Sequence, residues 1–250
     1  MAASGALLAF DYDGTLAPTG SDVEGARMRP ESVELLRSLA HAAPVAIITG
    51  RSVHDVTRRL EGISVLATVG NHGAEPSRFA RRAAREVAAW LPLLESFVAT
   101  EAGVVIENKA QSVSVHYWDA PEPSRTLSAL GALLRTFPHA VTVVQGIGLV
   151  NLIPKGAPNK GDALARLVKA HNLPGALFVG DELTDESAFE RLRGSEGLGV
   201  RVGASKASAA TFHIPTQMEM DAMLTELLIG RTRQARTRRT SALLSDGATQ

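Results

Sequence analysis

The chain has 250 residues, of which 45% are hydrophobic and 21% are charged, and its 26 Lys and Arg residues balance 26 Asp and Glu residues. This length and hydrophobic content allow one large domain or two modest ones with a buried core, and the balanced charge indicates no nucleic-acid or membrane partner. The absence of cysteine excludes disulfides and thiol catalysis. No run approaches the roughly 18 apolar residues of a membrane span, and the N-terminus lacks the basic start of a signal peptide. We therefore expect a cytoplasmic globular protein.

The first part of the chain alternates between strand and helix patterns. Residues 6–10 form a short apolar run typical of a buried strand, and Pro30 stands where a helix opens. Val45–Ile48 predicts a second buried strand, and Ser52 begins a capping-box pattern for a helix that runs through Leu60. A third strand is expected in "VLATVGNHGAE". This alternation predicts a parallel sheet.

The pattern changes between residues 78 and 158. A long helix is expected at residues 78–98, followed by strands in "GVVIENKA" and "SVSVHYW" that are joined near Ala110. A helix at residues 122–137 precedes a hairpin formed by "AVTVVQ" and "LVNLIP". Helix, two strands, helix, two strands is an α+β arrangement, so this segment does not continue the parallel sheet.

The α/β pattern returns at Asn159, a plausible helix N-cap, and continues through the strand "GALFVGDE", the helix "TDESAFERLR" and the strand "LGVRVG". We therefore predict a Rossmann-like core domain at residues 1–77 and 159–230, interrupted by an inserted domain at residues 78–158. Residues 231–250 are rich in arginine and lack apolar periodicity, so we predict a disordered tail.

Two aspartates stand one residue apart where the first strand ends, in "FDYDGT". Because side chains alternate along an extended chain, Asp11 and Asp13 point to the same side and Tyr12 points away. Two adjacent carboxylates repel each other, so either one takes up a proton or a cation that prefers oxygen ligands, such as Mg²⁺, lies between them. The alternative is a pair of turn aspartates, since Asp-Gly is a common turn pair, but this does not account for Asp11.

Two further positions could bind an anion. Thr49 places a hydroxyl at the end of the second strand, although "TGRS" is also explained by a helix cap at Ser52 with Arg51 in solvent. Lys160 begins a helix, where the dipole disfavours a cation unless an anion such as phosphate lies nearby. The alternative for Lys160 is an ordinary surface lysine.

A fourth position is Asp181, which ends a buried strand, whereas Asp185 and Glu186 are explained as dipole partners at the next helix start. Ligands of parallel α/β sheets bind at the carboxyl ends of the strands. The four positions together therefore predict one metal and phosphate site, with acids for the cation and with Thr49 and Lys160 for the phosphoryl oxygens.

In this order, "DYDGT", "TGR", "KG" and "GDELTDE" resemble the four motifs of the haloacid dehalogenase-like phosphatases, and the inserted domain resembles their C2-type cap. The resemblance spans most of the core and implies Mg²⁺-dependent hydrolysis of a phosphate monoester. It implies that Asp11 is the nucleophile, which forms an aspartyl-phosphate, and that Asp13 acts as acid and then base. It assigns the metal to Asp11, the Asp13 backbone carbonyl and Asp181.

A finer resemblance, to the trehalose-6-phosphate phosphatases, rests on "GNHGAE", "IENKAQSVSVHY" and "GDELTDESAF". It implies that the loop after the third strand lines the cleft and that Glu107 and Lys109, which share one strand face, contact the sugar. An exposed face with a cross-strand salt bridge is the alternative for this pair, and we interpret His116 as a half-buried strand histidine. The residues expected to bind substrate are Thr49, Gly50, Arg51, Asn71, His72, Gly73, Glu107, Lys109, Asn151 and Lys160.

Two departures from this family bear on the substrate and the metal. The stretch "NLIP" stands where the family commonly has Glu-x-Arg-Pro, so Asn151 and Ile153 replace a charged pair, and Glu182 replaces the second Asp of Gly-Asp-Asp. The expected reaction converts trehalose 6-phosphate to trehalose and phosphate. Glucosylglycerol, sucrose or mannosylglycerate phosphate are alternative substrates, and a phosphomutase or a non-catalytic phospho-accepting module are alternative functions.

Overall fold

The computed structural model describes residues 5–19, 26–146, 148–194, 197–204 and 207–246, with side chains described up to residue 233. The strands are β1 (Leu7–Phe10), β2 (Val45–Ile48), β3 (Ala67–Val69), β4 (Val105–Asn108), β5 (Val113–His116), β6 (Val141–Gln145), β7 (Leu149–Pro154), β8 (Ala176–Gly180), β9 (Leu198–Val202) and β10 (Phe212–Ile214). The α-helices are α1 (Pro30–Ala42), α2 (Val53–Arg59), α3 (Ala80–Val98), α4 (Pro123–Leu134), α5 (Lys160–Ala170), α6 (Glu186–Leu192) and α7 (Met220–Asp246).

In the described part of the chain, the larger sheet has six parallel strands in the order β10–β9–β8–β1–β2–β3. Strand β1 lies between β8 and β2 and is buried on both faces. Its alternation sends Leu8 and Phe10 into one apolar core and Leu7 and Ala9 into another. The predicted parallel α/β sheet is confirmed, and the carboxyl ends of β1, β2 and β8 meet at one edge.

Helices cover both faces of this sheet. Leu36 of α1 and Leu224 of α7 belong to the first core, and Leu164 of α5 and Phe189 of α6 belong to the second. Helix α5 begins at the predicted Asn159 cap, whose side chain accepts a hydrogen bond from the Asp162 N–H group. This two-sided cover explains why the central strands are continuous apolar runs.

The segment between residues 78 and 158 forms the second sheet, which is antiparallel and has the order β4–β5–β7–β6. Helices α3 and α4 pack on this sheet around a separate core. In that core the fully buried Trp90 stacks on Phe137 with ring centroids 5.3 Å apart. We call this segment the cap; its assignment as a domain with boundaries near residues 77 and 158 stays a prediction.

The C-terminal segment differs from the prediction. Residues 231–246 were expected to be disordered, but α7 continues through Asp246, and residues 247–250 lie outside the described residues. The segment contains Arg, Gln, Ala and Leu, which are good helix formers, and neither Gly nor Pro up to Asp246. Arg231, near the middle of α7, is buried and donates to the Ala6 carbonyl oxygen, which holds this part of the helix on the core. No described helix is long and apolar enough to cross a membrane.

Candidate active site

A cavity of about 700 Å³ lies at the carboxyl edge of the parallel sheet and is lined by residues of both sheets. The predicted site residues that line it are Asp11, Asp13, Gly50, Arg51, His72, Glu107, Lys109, Asn151 and Asp181. Four other residues of the predicted set are buried and do not line it: Thr49, Asn71, Gly73 and Lys160. The cap and the core thus contribute to one cleft of the size that small-molecule sites have.

Asp11 and Lys160 form a buried ion pair at the base of the cavity. The Lys160 Nζ lies 3.0 Å from Asp11 Oδ2 and 2.6 Å from Asp185 Oδ1, and both Lys160 and Asp185 are almost fully buried. Although burial alone lowers the pKa of Lys160, the carboxylates of Asp11 and Asp185 raise it above its ordinary value. Lys160 is therefore a fixed cation beneath Asp11. Asp185, interpreted from sequence as a helix-dipole partner, instead bonds Lys160 and the Glu182 N–H group.

Three carboxylates converge around this lysine and leave an excess of negative charge. Oxygen atoms of Asp11, Asp181 and Asp185 lie within 4.8 Å of one another, and Asp11 Oδ1 is buried without a hydrogen-bond partner among the described residues. Burial and the neighbouring Asp185 raise the pKa of Asp181 to about 8. Burial, opposed by Lys160, also raises the pKa of Asp11 well above its ordinary value. A divalent cation among these oxygens would remove the repulsion, so the donor set fits Mg²⁺.

Gly14 allows Asp181 to approach the first loop. Its φ is +74°, and a Cβ at this position would lie 2.0 Å from Asp181 Oδ2. The Thr15 hydroxyl donates to Asp181 Oδ1 at 3.0 Å, which fixes the other oxygen. Gly14 is therefore needed for the approach of Asp181 as well as for the turn that the Asp-Gly pair predicts, since any larger residue would displace this carboxylate of the acidic cluster.

Arg51 binds Asp13 rather than pointing into solvent. Its Nε and Nη2 donate to the two oxygens of Asp13 at 2.7 and 2.6 Å, and Nη1 donates to Asp55 at 2.7 Å. Such a bidentate pair stabilises the ionised carboxylate and fixes its direction. Tyr12, between the two aspartates, is buried in the apolar core, so the predicted alternation of this stretch is confirmed.

His72 is the most unusual polar group of the cavity wall. It is 5% exposed and has a left-handed backbone with φ of 56°. Neither ring nitrogen makes a hydrogen bond of good geometry with a described residue. Burial, followed by the charges of Lys160 and Lys109, lowers the pKa of His72 well below its ordinary value, although the amide of Asn151 lies close enough to oppose the shift. A neutral imidazole with open donor and acceptor positions therefore faces the cavity.

The predicted residues next to His72 do not line the cavity and make structural contacts instead. Asn71, predicted to line the cleft, is fully buried and bonds Glu75 and the β4–β5 turn of the cap. Gly73 lies against the backbone of Asn159. Thr49 is buried, and its hydroxyl oxygen accepts the Arg51 N–H at 3.2 Å. Binding of substrate by these residues stays a prediction.

The cap side of the cavity carries a charged group of three residues. Glu107 Oε2 lies 3.6 Å from Lys109 Nζ and 3.1 Å from His116 Nε2. Burial opposes ionisation of Glu107, but the hydrogen bond from His116 and the charge of Lys109 together lower its pKa. Asn151 is almost fully buried, and its Oδ1 accepts a 2.6 Å hydrogen bond from the Ser114 hydroxyl. These side chains face the cavity rather than an open strand surface, and His116 is half-buried as expected.

Several cavity residues were not found from sequence. Trp118 and Leu183 line the cavity with 50% and 66% exposure. Arg201 of β9 donates to the Asp181 carbonyl oxygen at 2.6 Å and to Glu186 at 2.9 Å. The available signal for Trp118 and Leu183 was a large apolar residue in a polar neighbourhood just after a strand. For Arg201 there was no signal, because an arginine inside a strand is ordinary.

Solved structures identify the class of fold. A trehalose-6-phosphate phosphatase related protein superposes with a TM-score of 0.75 at 24% identity, over 92% of this chain and 100% of its own. The C-terminal domain of Candida albicans trehalose-6-phosphate phosphatase also gives 0.75 at 24% identity, over 89% of this chain and 92% of its own. Similarity also extends to a phosphatase of the haloalkanoate (HAD) enzyme superfamily from Bacteroides thetaiotaomicron, with a TM-score of 0.56 at 15% identity, over 89% of this chain and 94% of its own. The fold is therefore haloacid dehalogenase-like, as predicted.

The sequence narrows this class. The trehalose-phosphatase family model matches residues 9–218, and the chain belongs to this family. A trehalose-phosphate phosphatase of Mycobacterium bovis is 30% identical over 92% of this chain and 63% of its own length. An uncharacterised glycosyl hydrolase of Mycobacterium tuberculosis is 34% identical over 87% of this chain and 18% of its own length. The chain thus spans less than two thirds of the length of these two relatives.

Proposed function

We propose that this chain is a Mg²⁺-dependent phosphatase that hydrolyses a sugar phosphate monoester, with trehalose 6-phosphate as the first candidate. The observation that carries the proposal is the state of Asp11. One of its oxygens is held by Lys160, and the other has no hydrogen-bond partner among the described residues and lies at the wall of a cavity of about 700 Å³. A carboxylate fixed in this way is oriented for attack on a group bound above it.

Asp11 attacks phosphorus through its unpartnered oxygen, and the bond between phosphorus and the sugar oxygen breaks. Lys160, 3.0 Å from the other oxygen, opposes the rise in the pKa of Asp11 that burial causes, and it offsets the charge of the incoming phosphate. The product of this step is an aspartyl-phosphate, which an attacking water then hydrolyses. Asp11 is released unchanged, so phosphate and the free sugar are the only products.

The cation is held by the acidic cluster. Asp11 and Asp181 supply carboxylate oxygens, and the Asp13 backbone carbonyl is the further ligand that the family resemblance implies. When bound, Mg²⁺ supplies positive charge that reduces repulsion between the phosphate and the carboxylates. Asp185 bonds Lys160 and the Glu182 N–H group, which orients the lysine against Asp11.

Asp13 moves the proton in this proposal. It protonates the leaving sugar oxygen and later accepts a proton from the attacking water. In the described arrangement both Asp13 oxygens accept hydrogen bonds from Arg51. An Asp13 oxygen can carry the transferred proton only when one of these hydrogen bonds is released, so the proposed step requires Arg51 to move. Asp55, which already accepts a hydrogen bond from Arg51 Nη1, offers the guanidinium an alternative partner.

The cap residues bind the sugar. Glu107 accepts, and Lys109 donates, hydrogen bonds to hydroxyl groups, and their mutual pairing at 3.6 Å keeps both ready in one place. The Asn151 carbonyl oxygen accepts from Ser114, so its amide N–H groups are directed to the cavity side, where His72 lies close and substrate hydroxyls can also accept from them. The neutral His72 can accept from a hydroxyl with one ring nitrogen and donate with the other. This set of neutral and paired groups suits a polyhydroxylated leaving group.

A phosphate-release assay tests the proposal. Trehalose 6-phosphate and the phosphates of glucosylglycerol, sucrose and mannosylglycerate are each incubated with the protein and Mg²⁺, with and without a chelator. We expect metal-dependent release from trehalose 6-phosphate and stoichiometric trehalose. If phosphate is released only from another member of the panel, that compound is the substrate instead of trehalose 6-phosphate. If an isomer of the sugar phosphate forms without free phosphate, the protein is a phosphomutase and not a phosphatase.

A further inference from the structure

Trp118 is exposed in the cap although a tryptophan gains most from burial. The chain has two tryptophans, and Trp90 is fully buried in the cap core whereas Trp118 is 50% exposed. Trp118 follows β5 and lines the cavity. Large exposed aromatic side chains beside a cavity are typical of ligand sites, since they lose contact with water only when the ligand arrives.

The indole is held in place by the β6–β7 turn. A Cβ at Gly148 would lie 2.3 Å from Trp118 Cδ2 and 2.4 Å from Cε2, so one part of the ring rests directly on this turn. Gly148 has a φ of +67°, and its carbonyl oxygen accepts the Tyr117 N–H at 2.8 Å. The support fixes the ring before any ligand binds, which reduces the entropy lost on binding.

The same side of the cavity continues as an apolar wall. Val144 and Leu149, on either side of the β6–β7 turn, line the cavity with Trp118. From the core, Leu183 lines it as well and is 66% exposed. The cavity therefore combines an apolar wall with the polar residues already described. A pyranose ring has the matching character, because its faces carry C–H groups and its edges carry hydroxyl groups.

We propose that Trp118, with Val144 and Leu149, determines the specificity of the site by binding the face of a sugar ring in the leaving group. The inference rests on the proposed function and adds to it a residue that recognises the leaving group. Trehalose, sucrose, glucosylglycerol and mannosylglycerate each carry a pyranose ring whose face can lie on the indole, so this contact distinguishes ringed leaving groups from ringless ones.

Kinetics on ringed and ringless substrates test this assignment. Trp118→Ala and Trp118→Phe are compared on trehalose 6-phosphate and on acetyl phosphate, which has no ring. We expect Trp118→Ala to lower the selectivity for the disaccharide phosphate about tenfold, chiefly through KM, and Trp118→Phe to restore most of it. Val143→Ala is the matched control, because Val143 is 47% exposed on the neighbouring β6 but does not line the cavity.

Equal losses on both substrates in Trp118→Ala, or no loss, would overturn the assignment. Should Trp118→Ala fail to fold, Trp118→Leu replaces it, since leucine keeps an apolar contact with the turn but has no flat ring. For this variant too, a selectivity equal to that of the unmodified protein would contradict a role of the indole.

Fluorescence provides a readout that does not depend on turnover. In Asp11→Asn protein titrated with trehalose 6-phosphate, we expect the tryptophan emission to shift to the blue as Trp118 leaves water. The shift should disappear in Asp11→Asn/Trp118→Phe, where only the buried Trp90 emits. Persistence of the shift in the double variant would sink the inference.

The two measurements separate this inference from the proposed function. A shift in emission with no phosphate release by the unmodified protein from any sugar phosphate would refute the phosphatase assignment and leave the sugar-binding wall. Phosphate release with unchanged selectivity in Trp118→Ala would refute the sugar-binding role of Trp118 and leave the phosphatase assignment.

Discussion

Removal of the Asn71 side chain should loosen the cap and weaken sugar binding. Asn71 Nδ2 lies 2.7 Å from Gln111 Oε1 and 3.2 Å from the Lys109 carbonyl oxygen, and Asn71 Oδ1 accepts a 2.7 Å bond from the Ser112 hydroxyl. These contacts join the loop after β3 to the β4–β5 turn, next to Lys109 in the cavity. They are buried, since Asn71 is 0% and Ser112 is 1% exposed.

The magnitude follows from what is left unpaired. Loss of the Asn71 amide removes two hydrogen bonds from Nδ2 to the β4–β5 turn, worth about 1 kcal/mol each, and leaves the buried Ser112 hydroxyl unsatisfied at about 1–3 kcal/mol. Asn71→Gly should therefore destabilise the protein by about 3–5 kcal/mol. Asn71→Ala should cost about 1–2 kcal/mol more, because φ at this position is +50° and glycine alone adopts it without strain. Ser112→Ala should cost about 1–2 kcal/mol and couple to Asn71→Gly.

Urea unfolding and steady-state kinetics measure the effect. The unfolding midpoint should fall in each variant, and the KM for trehalose 6-phosphate should rise more than that for acetyl phosphate as Lys109 loses its anchor. Ser128→Ala is the matched control, because the Ser128 hydroxyl is exposed and donates to the Ser124 carbonyl oxygen within α4. Strictly additive free energies for Asn71→Gly and Ser112→Ala, or an unchanged KM ratio, would refute the reasoning.

Three further predictions concern the site. Asp11→Asn should abolish turnover in the phosphate-release assay while circular dichroism stays unchanged, and retention of more than about a few per cent of activity would exclude Asp11 as the nucleophile. Mg²⁺ at about 100 times its Kd should stabilise chelator-treated protein by about 2.7 kcal/mol in thermal unfolding, an effect that Asp181→Asn should remove and the exposed Asp119→Asn should keep. Because the folded pKa of His72 lies well below the unfolded value of 6.5, the unfolded state binds an extra proton at this residue below pH 6.5, so the contribution of His72 to stability falls with decreasing pH. His72→Gln should remove this contribution from the pH dependence in urea titrations between about pH 6.5 and 5, and an unchanged pH dependence would mean that His72 is protonated in the folded protein.

Much of the framework could be predicted because its signals are local. Apolar runs of the right length predicted β1, β2 and β8, and the polar residue after each run marked the edge where ligands bind in parallel sheets. The alternation in "FDYDGT" predicted that Asp11 and Asp13 share a side and that Tyr12 points away from them, and the structure places both aspartates at the cavity and Tyr12 in the apolar core. Caps at Ser52 and Asn159 were visible for the same reason, since each cap bonds a backbone group only three residues away.

The side-chain pairings that could not be predicted from the sequence join residues that lie far apart in the chain. Asp185 is the partner of Lys160 across 25 positions in the chain, and Asn71 bonds Ser112 across 41. No local pattern indicates such a pairing, because it depends on where two loops meet after folding. Asp185 was interpreted as a helix-dipole partner, and Asn71 was expected to line the cleft, whereas the structure shows each of them bonded to a residue far away in the sequence.

The sequence by itself determined the order of elements, the parallel sheet and the chemical types gathered at its edge, because strand length, side-chain alternation and capping are set by near neighbours along the chain. Only the tertiary structure decided which of these groups are paired and which are open. It joined Arg51 to Asp13 and placed Trp118 on the turn at Gly148. Among the described residues, it left an oxygen of Asp11 and both nitrogens of His72 without a hydrogen bond of good geometry. Pairing depends on distances between segments far apart in sequence, and those distances exist only once both sheets have folded around the cavity.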